Sequence, residues 1–284
     1  MRLIEGGGQV PVIYTAHHAS HDFGEFDNRV ALSDEQKIRF SDYGTDATVP
    51  RNGIAALIAE HSRALGDLNR APDDAARFKA QDYDPVTPHA IWKPGQELTI
   101  EEKARCQDNF YSPFHDKITN LLQQRETPTF VVAWDNTAHY KIGENAAGEP
   151  VTMKPFILSN QGREESAEPM DNEANSCDPQ FLTLLAEAFR NELKLSGLPD
   201  GVHLNLVFKG GYICRQYSTR RNADILKAQG ITSEVQSLQL EYDAALTHDQ
   251  QTLAFNPAAA EALRTAFSRA IEQAYAMYQS ESLL

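Results

Sequence analysis

Three histidines lie within five positions of the segment TAHHASHDFG, residues 15–24: His17, His18 and His21. They follow VPVIY, an apolar run with the composition of a strand. In open α/β sheets ligands bind beyond the carboxyl ends of the strands, and imidazole nitrogen is a common zinc ligand. The cluster therefore indicates a metal site, or a solvated loop in which one histidine caps a turn.

A metal site needs further ligands from elsewhere in the chain. Asp42 and Asp46 lie four residues apart in SDYGTDATVP, and the apolar run TFVVAWDNTAHY ends in Asp135, Asn136 and His139. A catalytic zinc takes three protein ligands and keeps an open position for water, so His, Asp and His from three strand ends would suffice. Acids and histidines are common in loops of any acidic protein, which leaves the site open on spacing alone.

Two further segments carry groups suited to binding a carboxylate. In FKGGYICRQYS, residues 208–218, Gly210 and Gly211 allow close backbone approach, and Arg215 follows on a segment that we expect to be extended. Arginine can hold a carboxylate by two parallel hydrogen bonds. Asn69 and Arg70 in DLNR offer a second set of donors, so two arginines would fit a dicarboxylic substrate. The alternative is a turn and surface ion pairs.

Glu241 lies in QSLQLEY, where strand alternation places Leu238 and Leu240 on one face and Gln239 and Glu241 on the other. A carboxylate beside a metal site can serve as a general base and acid. The alternative is a solvent-facing glutamate at the end of an edge strand.

The composition excludes several classes of protein. The net charge is −14 and the pI is near 5.1, so the chain has no excess of basic residues with which to bind nucleic acid or an anionic membrane. No window approaches the roughly 20 apolar residues of a membrane span, and the N-terminus has no secretory signal pattern. Three scattered cysteines indicate free thiols. We expect a cytoplasmic protein.

Short apolar runs alternate with helical patterns, which predicts an α/β fold with a central mixed, largely parallel sheet flanked by helices. We expect one domain over residues 1–284, with loop insertions at 71–95 and 162–179, the first forming a lid or binding wall. The predicted strands are 10–16, 62–68, 129–135, 203–208 and 235–242. The predicted helices are 33–40, 52–61, 100–125, 178–197 and 256–280.

Six motifs in order resemble the N-formylglutamate amidohydrolase family. They run from about residue 14 to residue 242, and the fifth is the most specific. The motifs are HAS at 18–20, DYGTD at 42–46, SRALGDLNR at 62–70, FYSPFH at 110–115, FKGGYICRQYS at 208–218 and SLQLEY at 237–242.

The resemblance implies a zinc-dependent (or other divalent-metal) amidohydrolase with a fold like that of the zinc exopeptidases. It would act on an N-acyl amino acid such as N-formyl-L-glutamate, a reaction of histidine degradation. It implies metal binding by His18, Asp42 and a third residue, a catalytic role for Glu241, and substrate binding by five residues. These five are Asn69, Arg70, Gly210, Gly211 and Arg215.

The chain departs from the family pattern after the central strand. Asn136 stands where the family has a histidine ligand, and Asn is a poor zinc ligand, so His139 or Asp135 would have to replace it. His17, His21 and Asp46 are further possible ligands. Two alternatives follow: a binding protein for acyl amino acids that has lost catalytic power, or an amidase for a larger substrate. The sequence leaves the oligomeric state open.

Overall fold

The computed structural model describes residues 1–82, 88–138, 141–144, 147–170 and 173–281. Seven strands form one mixed sheet in the order β1-β3-β2-β4-β9-β7-β8, and β5 and β6 form a separate pair. The strands are β1 Arg2–Glu5, β2 Val12–Ala16, β3 Ala55–Ile58, β4 Thr129–Thr137, β5 Lys141–Glu144, β6 Pro150–Thr152, β7 Phe156–Ser159, β8 Val202–Leu204 and β9 Val235–Asp243.

The helices cover both faces of this sheet. They are α1 Asp34–Phe40, α2 Thr45–Thr48, α3 Ile100–Cys106, α4 Ser112–Gln123, α5 Pro179–Leu195, α6 Tyr212–Gln216, α7 Thr219–Ala228 and α8 Pro257–Glu281. A π-helical turn, Gln107–Tyr111, joins α3 to α4. A mixed sheet flanked by helices confirms the predicted fold class.

The four central strands β3, β2, β4 and β9 run parallel to one another. Their side chains alternate between two buried layers, which is why these strands read as nearly continuous apolar runs. Trp134 and Leu240 pack in the layer under α5 and α8, whereas Val131 and Ala133 face α4 and α6. Since the central strands are parallel, their carboxyl ends meet at one edge of the sheet.

Three of the predicted helix and strand segments differ from the structure. Residues 52–61 were expected to be helical, but Ala55–Ile58 form β3 between β1 and β2. Residues 62–68 were expected to form a strand, but they contain a 3-10 turn, Arg63–Leu65, capped by Ser62. The strand expected at 203–208 ends at Leu204 because Asn205 and Val207 adopt positive φ.

The two predicted loop insertions lie largely outside regular secondary structure. In the first, residues 83–87 fall outside the described part, and a 3-10 turn spans Ala75–Arg77. In the second, Asn160 anchors the segment through its side-chain amide, which donates to the carbonyl groups of Ala167 and Cys177. No helix of the described residues is long and apolar enough to cross a membrane.

Candidate active site

The alternation of side chains along the strands determines which residues point into the site. Asp135 follows Ala133 on the same face of β4, and in the parallel register it lies beside Glu241 of β9. His17 and His18 follow β2 directly, next to β4. All four side chains are buried. Two imidazoles and two carboxylates thus meet at the carboxyl edge of the sheet, where the sequence predicted chemistry.

His17, His18 and Asp135 form a compact group whose ligand atoms all lie within 4.8 Å of one another. His17 Nε2 is 3.0 Å from Asp135 Oδ2, and His18 Nδ1 is 3.3 Å from Asp135 Oδ1. Asp42 Oδ2 lies 3.4 Å from the same His18 nitrogen. Ligands about 2.0–2.1 Å from a tetrahedral zinc stand about 3.4 Å apart, so these spacings suit one shared ion.

The outer nitrogens of both rings are fixed by other groups. His17 Nδ1 donates to the Thr15 carbonyl oxygen at 3.2 Å, and His18 Nε2 donates to Asp67 Oδ1 at 2.8 Å. These bonds leave His17 Nε2 and His18 Nδ1 with a free lone pair on the side of Asp135. Metal-binding histidines commonly donate their other N–H to a carbonyl or carboxylate in this way.

Two atoms of the group have no protein partner that satisfies them. His17 Nε2 and Asp135 Oδ1 are buried, and neither makes a well-directed hydrogen bond to any described residue. A buried polar atom without a partner is costly, and a shared cation would satisfy both at once. The donor set, two imidazoles with one or two carboxylates, is the set that zinc takes. These residues therefore fit a divalent metal ion.

The charges in the group perturb each other strongly. Burial alone would raise the pKa of Asp135, but the imidazoles of His17 and His18 hold it well below its usual range. Burial and Arg63 lower the pKa of His18, yet the facing carboxylates of Asp67 and Asp135 raise it well above its usual value. The Asp135 carboxylate and a protonated His18 thus stabilise each other, and a metal ion bound between them would replace the proton on His18 Nδ1.

Glu241 is held beside Asp135 by two donors. The Gln239 side-chain amide donates to Asp135 Oδ2 at 2.9 Å and to Glu241 Oε1 at 2.8 Å, while Thr137 Oγ1 donates to Glu241 Oε2 at 3.0 Å. Burial, followed by the charges of Asp135 and Asp42, raises the pKa of Glu241 well above its usual value. A carboxyl group with a raised pKa holds a proton more readily than an ordinary glutamate, which suits a group that accepts and then donates one.

Arg63 and Asp67 belong to the site although the sequence analysis gave them no role. Asp67 is fully buried, and its Oδ2 accepts from the Arg63 guanidinium at 3.1 Å. Arg63 also lies 3.5 Å from Asp42 Oδ1. Arg63 thus links the two carboxylates that flank His18. The sequence did not indicate these roles, because the apolar residues of SRALGDL led to the prediction of a strand.

The predicted carboxylate-binding residues line one cavity with the His/Asp group, and the cavity measures about 830 Å³. Arg215 is exposed on α6, a short helix rather than the extended segment expected, and the described residues offer its side chain no ion-pair partner. Arg70 is half-exposed and lies 3.9 Å from Asp67 and 3.8 Å from Asp74. An arginine without an ion-pair partner at a cavity wall can take an anionic ligand.

Asn69 and the two glycines fit together more tightly than expected. Asn69 Oδ1 accepts from the Ile213 backbone N–H at 2.9 Å, which ties the 67–70 loop to α6. A Cβ atom on Gly211 would overlap the Asn69 side-chain amide. Gly210 has a φ of 92°, which favours glycine. The close approach that requires glycine at position 211 is therefore to Asn69. Both glycines line the cavity, and their role in substrate binding stays a prediction.

Four other predicted ligands have different outcomes. Asn136 lies at the cavity, but its amide N–H groups donate to the Tyr43 carbonyl oxygen and the Tyr242 hydroxyl. Asp46 pairs with Arg2 at 2.8 Å, near the sheet edge, and does not line the cavity. His21 is exposed, and its ring packs against the Tyr43 ring. His139 falls outside the described residues.

Two further histidines, to which the sequence analysis assigned no role, also line the cavity. His89, from the predicted 71–95 loop, faces Asp82 at 3.1 Å, and His248 packs against the Tyr43 ring. Asp82 and His89, both from the predicted 71–95 loop, line the cavity. The one feature that could have indicated a cavity position for these two histidines is their location in loops that reach the sheet edge.

A polar cavity at the carboxyl edge of a mixed α/β sheet, holding buried carboxylates and imidazoles, has the form of an enzyme active site. The chain belongs to the N-formylglutamate amidohydrolase family, whose model matches residues 10–229. The family is one of hydrolases that act on amides.

The chain is also similar to solved structures. It has 21% identity and a TM-score of 0.65 to the N-formylglutamate amidohydrolase of Ralstonia eutropha JMP134, with 98% of each chain covered. A gene product of Agrobacterium tumefaciens has 14% identity and a TM-score of 0.64, with 98% of this chain and 95% of the other covered. At these identities the likeness supports the fold. No curated protein matches the chain.

Proposed function

We propose that this protein is a metal-dependent amidohydrolase that removes the N-acyl group from an acidic amino acid, N-formyl-L-glutamate being the substrate that the family name suggests. The observation that carries the proposal is the group formed by His17, His18 and Asp135, in which two buried atoms make no well-directed hydrogen bond to the described residues. Membership of an amidohydrolase family supports the reaction type. The buried Glu241 beside the group supports a proton transfer.

The residues that would hold the ion are His17, His18 and Asp135, with Asp42 as a fourth carboxylate close to His18. A divalent ion at this position supplies a Lewis acid that polarises the acyl carbonyl. Position 136 is an asparagine and supplies no imidazole. The second imidazole of the group would come instead from His17, next to His18 in sequence. Zinc is the ion that these donors suit best.

Glu241 would take a proton from the attacking water and deliver it to the leaving amine. Gln239 and Thr137 hold its carboxyl group toward the cavity, so the same oxygens can serve both transfers without reorientation. Arg63 and Asp67 act on His18: they keep its ring in one tautomer, with Nδ1 directed at Asp135 and Asp42.

Arg215 and Arg70 would bind the two carboxylates of an acidic N-acyl amino acid. Both line the cavity, and both side chains are accessible to a ligand. The Arg215 guanidinium, which has no ion-pair partner among the described residues, can bind one carboxylate by two parallel hydrogen bonds. Arg70 is 3.9 Å from Asp67 and 3.8 Å from Asp74, and it would bind the second carboxylate beside these long contacts. Asn69 holds the loop that carries Arg70 against the helix that carries Arg215.

The variant Glu241→Gln tests the assignment. Glutamine has the same length as glutamate and can still form hydrogen bonds, but it cannot accept the proton. We therefore expect turnover of N-formyl-L-glutamate to fall at least about 100-fold while the metal content stays unchanged. Glu187→Gln, an exposed position on α5, is the matched control. Turnover by Glu241→Gln at the level of the control would remove Glu241 from the mechanism.

A further inference from the structure

The cavity is larger than the family's named substrate requires. N-formylglutamate has about 12 non-hydrogen atoms, and even at the roughly 30 Å³ that one water molecule occupies in the liquid it would fill only about 360 Å³. The cavity measures about 830 Å³. More than half of its volume would remain for another part of a ligand.

The His18 ring separates two walls of this cavity. Its Nε2 faces Asp67 and its Nδ1 faces Asp42, and these nitrogens lie on opposite edges of the imidazole. On the first side, the Asp67 wall comprises residues 67–70 and 209–215, joined through Asn69 and Ile213. On the second side, the Asp42 wall comprises residues 36–43 and 244–253, joined where Arg39 donates to the Gln250 carbonyl oxygen.

The two walls differ in chemistry. The Asp67 wall carries the cationic groups of Arg70, Lys209 and Arg215. The Asp42 wall carries two partly exposed apolar side chains, Ile38 and Leu253, and the largely buried Phe40 and Ala244, beside polar residues such as Gln36 and Gln250. On the other side, the apolar Val207 and Phe208 line the cavity next to Lys209. The one arginine of the Asp42 wall, Arg39, is already bonded to Glu35 and to the carbonyl groups of residues 250 and 251. Its histidine, His248, lies within 3.2 Å of the Thr247 hydroxyl.

Leu253 is an unusual residue for its backbone conformation. Its φ is 58°, in the left-handed region that glycine and asparagine adopt more readily than leucine. Such conformations cost free energy and tend to be kept at functional surfaces. A turn with no role at the cavity would gain from glycine or asparagine here, whereas an apolar binding surface needs the leucine side chain.

The direction of a bound substrate follows from these positions. If its carboxylates lie on the Asp67 wall and its amide carbonyl lies at His18 and Asp135, the acyl group extends toward the Asp42 wall. A formyl group has no carbon chain with which to contact that wall. We infer that the substrates of this enzyme are acidic amino acids carrying an aliphatic N-acyl group of several carbons, bound along the Asp42 wall. This inference rests on the proposed amidohydrolase function.

The reaction is a hydrolysis and needs no other reactant than water. The amide C–N bond breaks, the hydroxyl of water goes to the acyl carbon, and a proton goes to the amino nitrogen. The products are a short fatty acid and the free acidic amino acid.

A series of N-formyl-, N-acetyl-, N-butanoyl- and N-hexanoyl-L-glutamate, assayed with the full-length metal-loaded protein, tests the inference. We expect kcat/KM to rise about fourfold for each methylene buried on the apolar wall. A kcat/KM that is highest for the formyl compound and falls with each added carbon would overturn the inference and leave the amidohydrolase function standing. Absence of hydrolysis across the whole series, the formyl compound included, would overturn both.

The variant Leu253→Asn localises the effect. Asparagine accepts the left-handed backbone, so the turn is kept while the apolar surface is lost. We expect kcat/KM for the butanoyl compound to fall about tenfold or more, and the ratio of butanoyl to formyl turnover to fall with it. Leu195→Asn, at the exposed end of α5, is the matched control. An unchanged ratio in Leu253→Asn would contradict the assignment of the acyl group to the Asp42 wall.

Discussion

His115 provides a sharp test of the packing beneath the site. This histidine of α4 is partly buried, its Nε2 donates to the Leu68 carbonyl oxygen at 3.1 Å, and its Nδ1 accepts from the Tyr217 hydroxyl at 2.9 Å. Burial lowers its pKa to about 3. The neutral ring thus supports the loop that carries Asp67 and Asn69.

The sign of the pH effect follows from the pKa of His115 in the two states. It is about 3 in the folded protein, against about 6.5 in the unfolded chain, so the unfolded chain binds more protons between these values. The stabilisation is complete above pH 6.5 and is lost as the pH falls toward 3. At about 1.36 kcal/mol per pH unit, the two units between pH 6.5 and pH 4.5 remove about 2.7 kcal/mol, so about this amount is lost between pH 7 and pH 4.5.

Urea unfolding at pH 7 and pH 4.5 measures this loss in the wild type and in His115→Gln. Glutamine can donate to Leu68 and accept from Tyr217 without titrating, so the other acid-sensitive groups cancel in the comparison. We expect the wild type to lose about 2.7 kcal/mol more than the variant over this interval. Equal losses in the two proteins would refute the reasoning, because His115 would then titrate alike in both states.

Two substitutions test the Asp67 wall. Gly211→Ala should lower the free energy of unfolding by about 1–3 kcal/mol and raise KM, because the new methyl group displaces Asn69. Gly7→Ala is the control, since a methyl group there meets only ordinary contacts. Equal melting temperatures of the two variants would contradict this packing. Arg215→Ala should raise KM for an acidic substrate about 10- to 100-fold, because charged hydrogen bonds contribute about 1.5–3 kcal/mol. Arg269→Ala, on the exposed face of α8, should leave KM unchanged, and the same KM in both arginine variants would exclude Arg215 from binding.

The fold was predictable where local patterns were unambiguous. The capped amphipathic helices α5 and α8 and the long buried strands β4 and β9 appear close to the predicted bounds. The short run Ala55–Ile58 was not, because four apolar residues suit a buried strand and a helix turn equally well. Only its pairing with β1 and β2 decides between them, and that pairing is not a local property of the sequence.

The candidate site was predictable where a polar residue directly follows an apolar strand. His18 and Asp135 carry that signal, whereas Glu241 was indicated by the alternation of side chains within its strand. The structure brings all three together. Arg63 and Asp67 carry no such signal, since they act by holding His18 and Asp42 from a turn. Contacts of this kind depend on the approach of separate loops and cannot be derived from spacing along the chain.

The proposed reaction depends on one divalent ion that His17, His18 and Asp135 share. Metal content of the purified protein, measured for the wild type and for His17→Ala, His18→Ala and His21→Ala, tests it most directly. We expect about one ion per chain in the wild type and in His21→Ala, whose side chain lies on the exposed loop, and loss of the ion in the other two variants. Full metal content in His17→Ala and His18→Ala, or a metal-free wild type that still binds acyl amino acids, would contradict it.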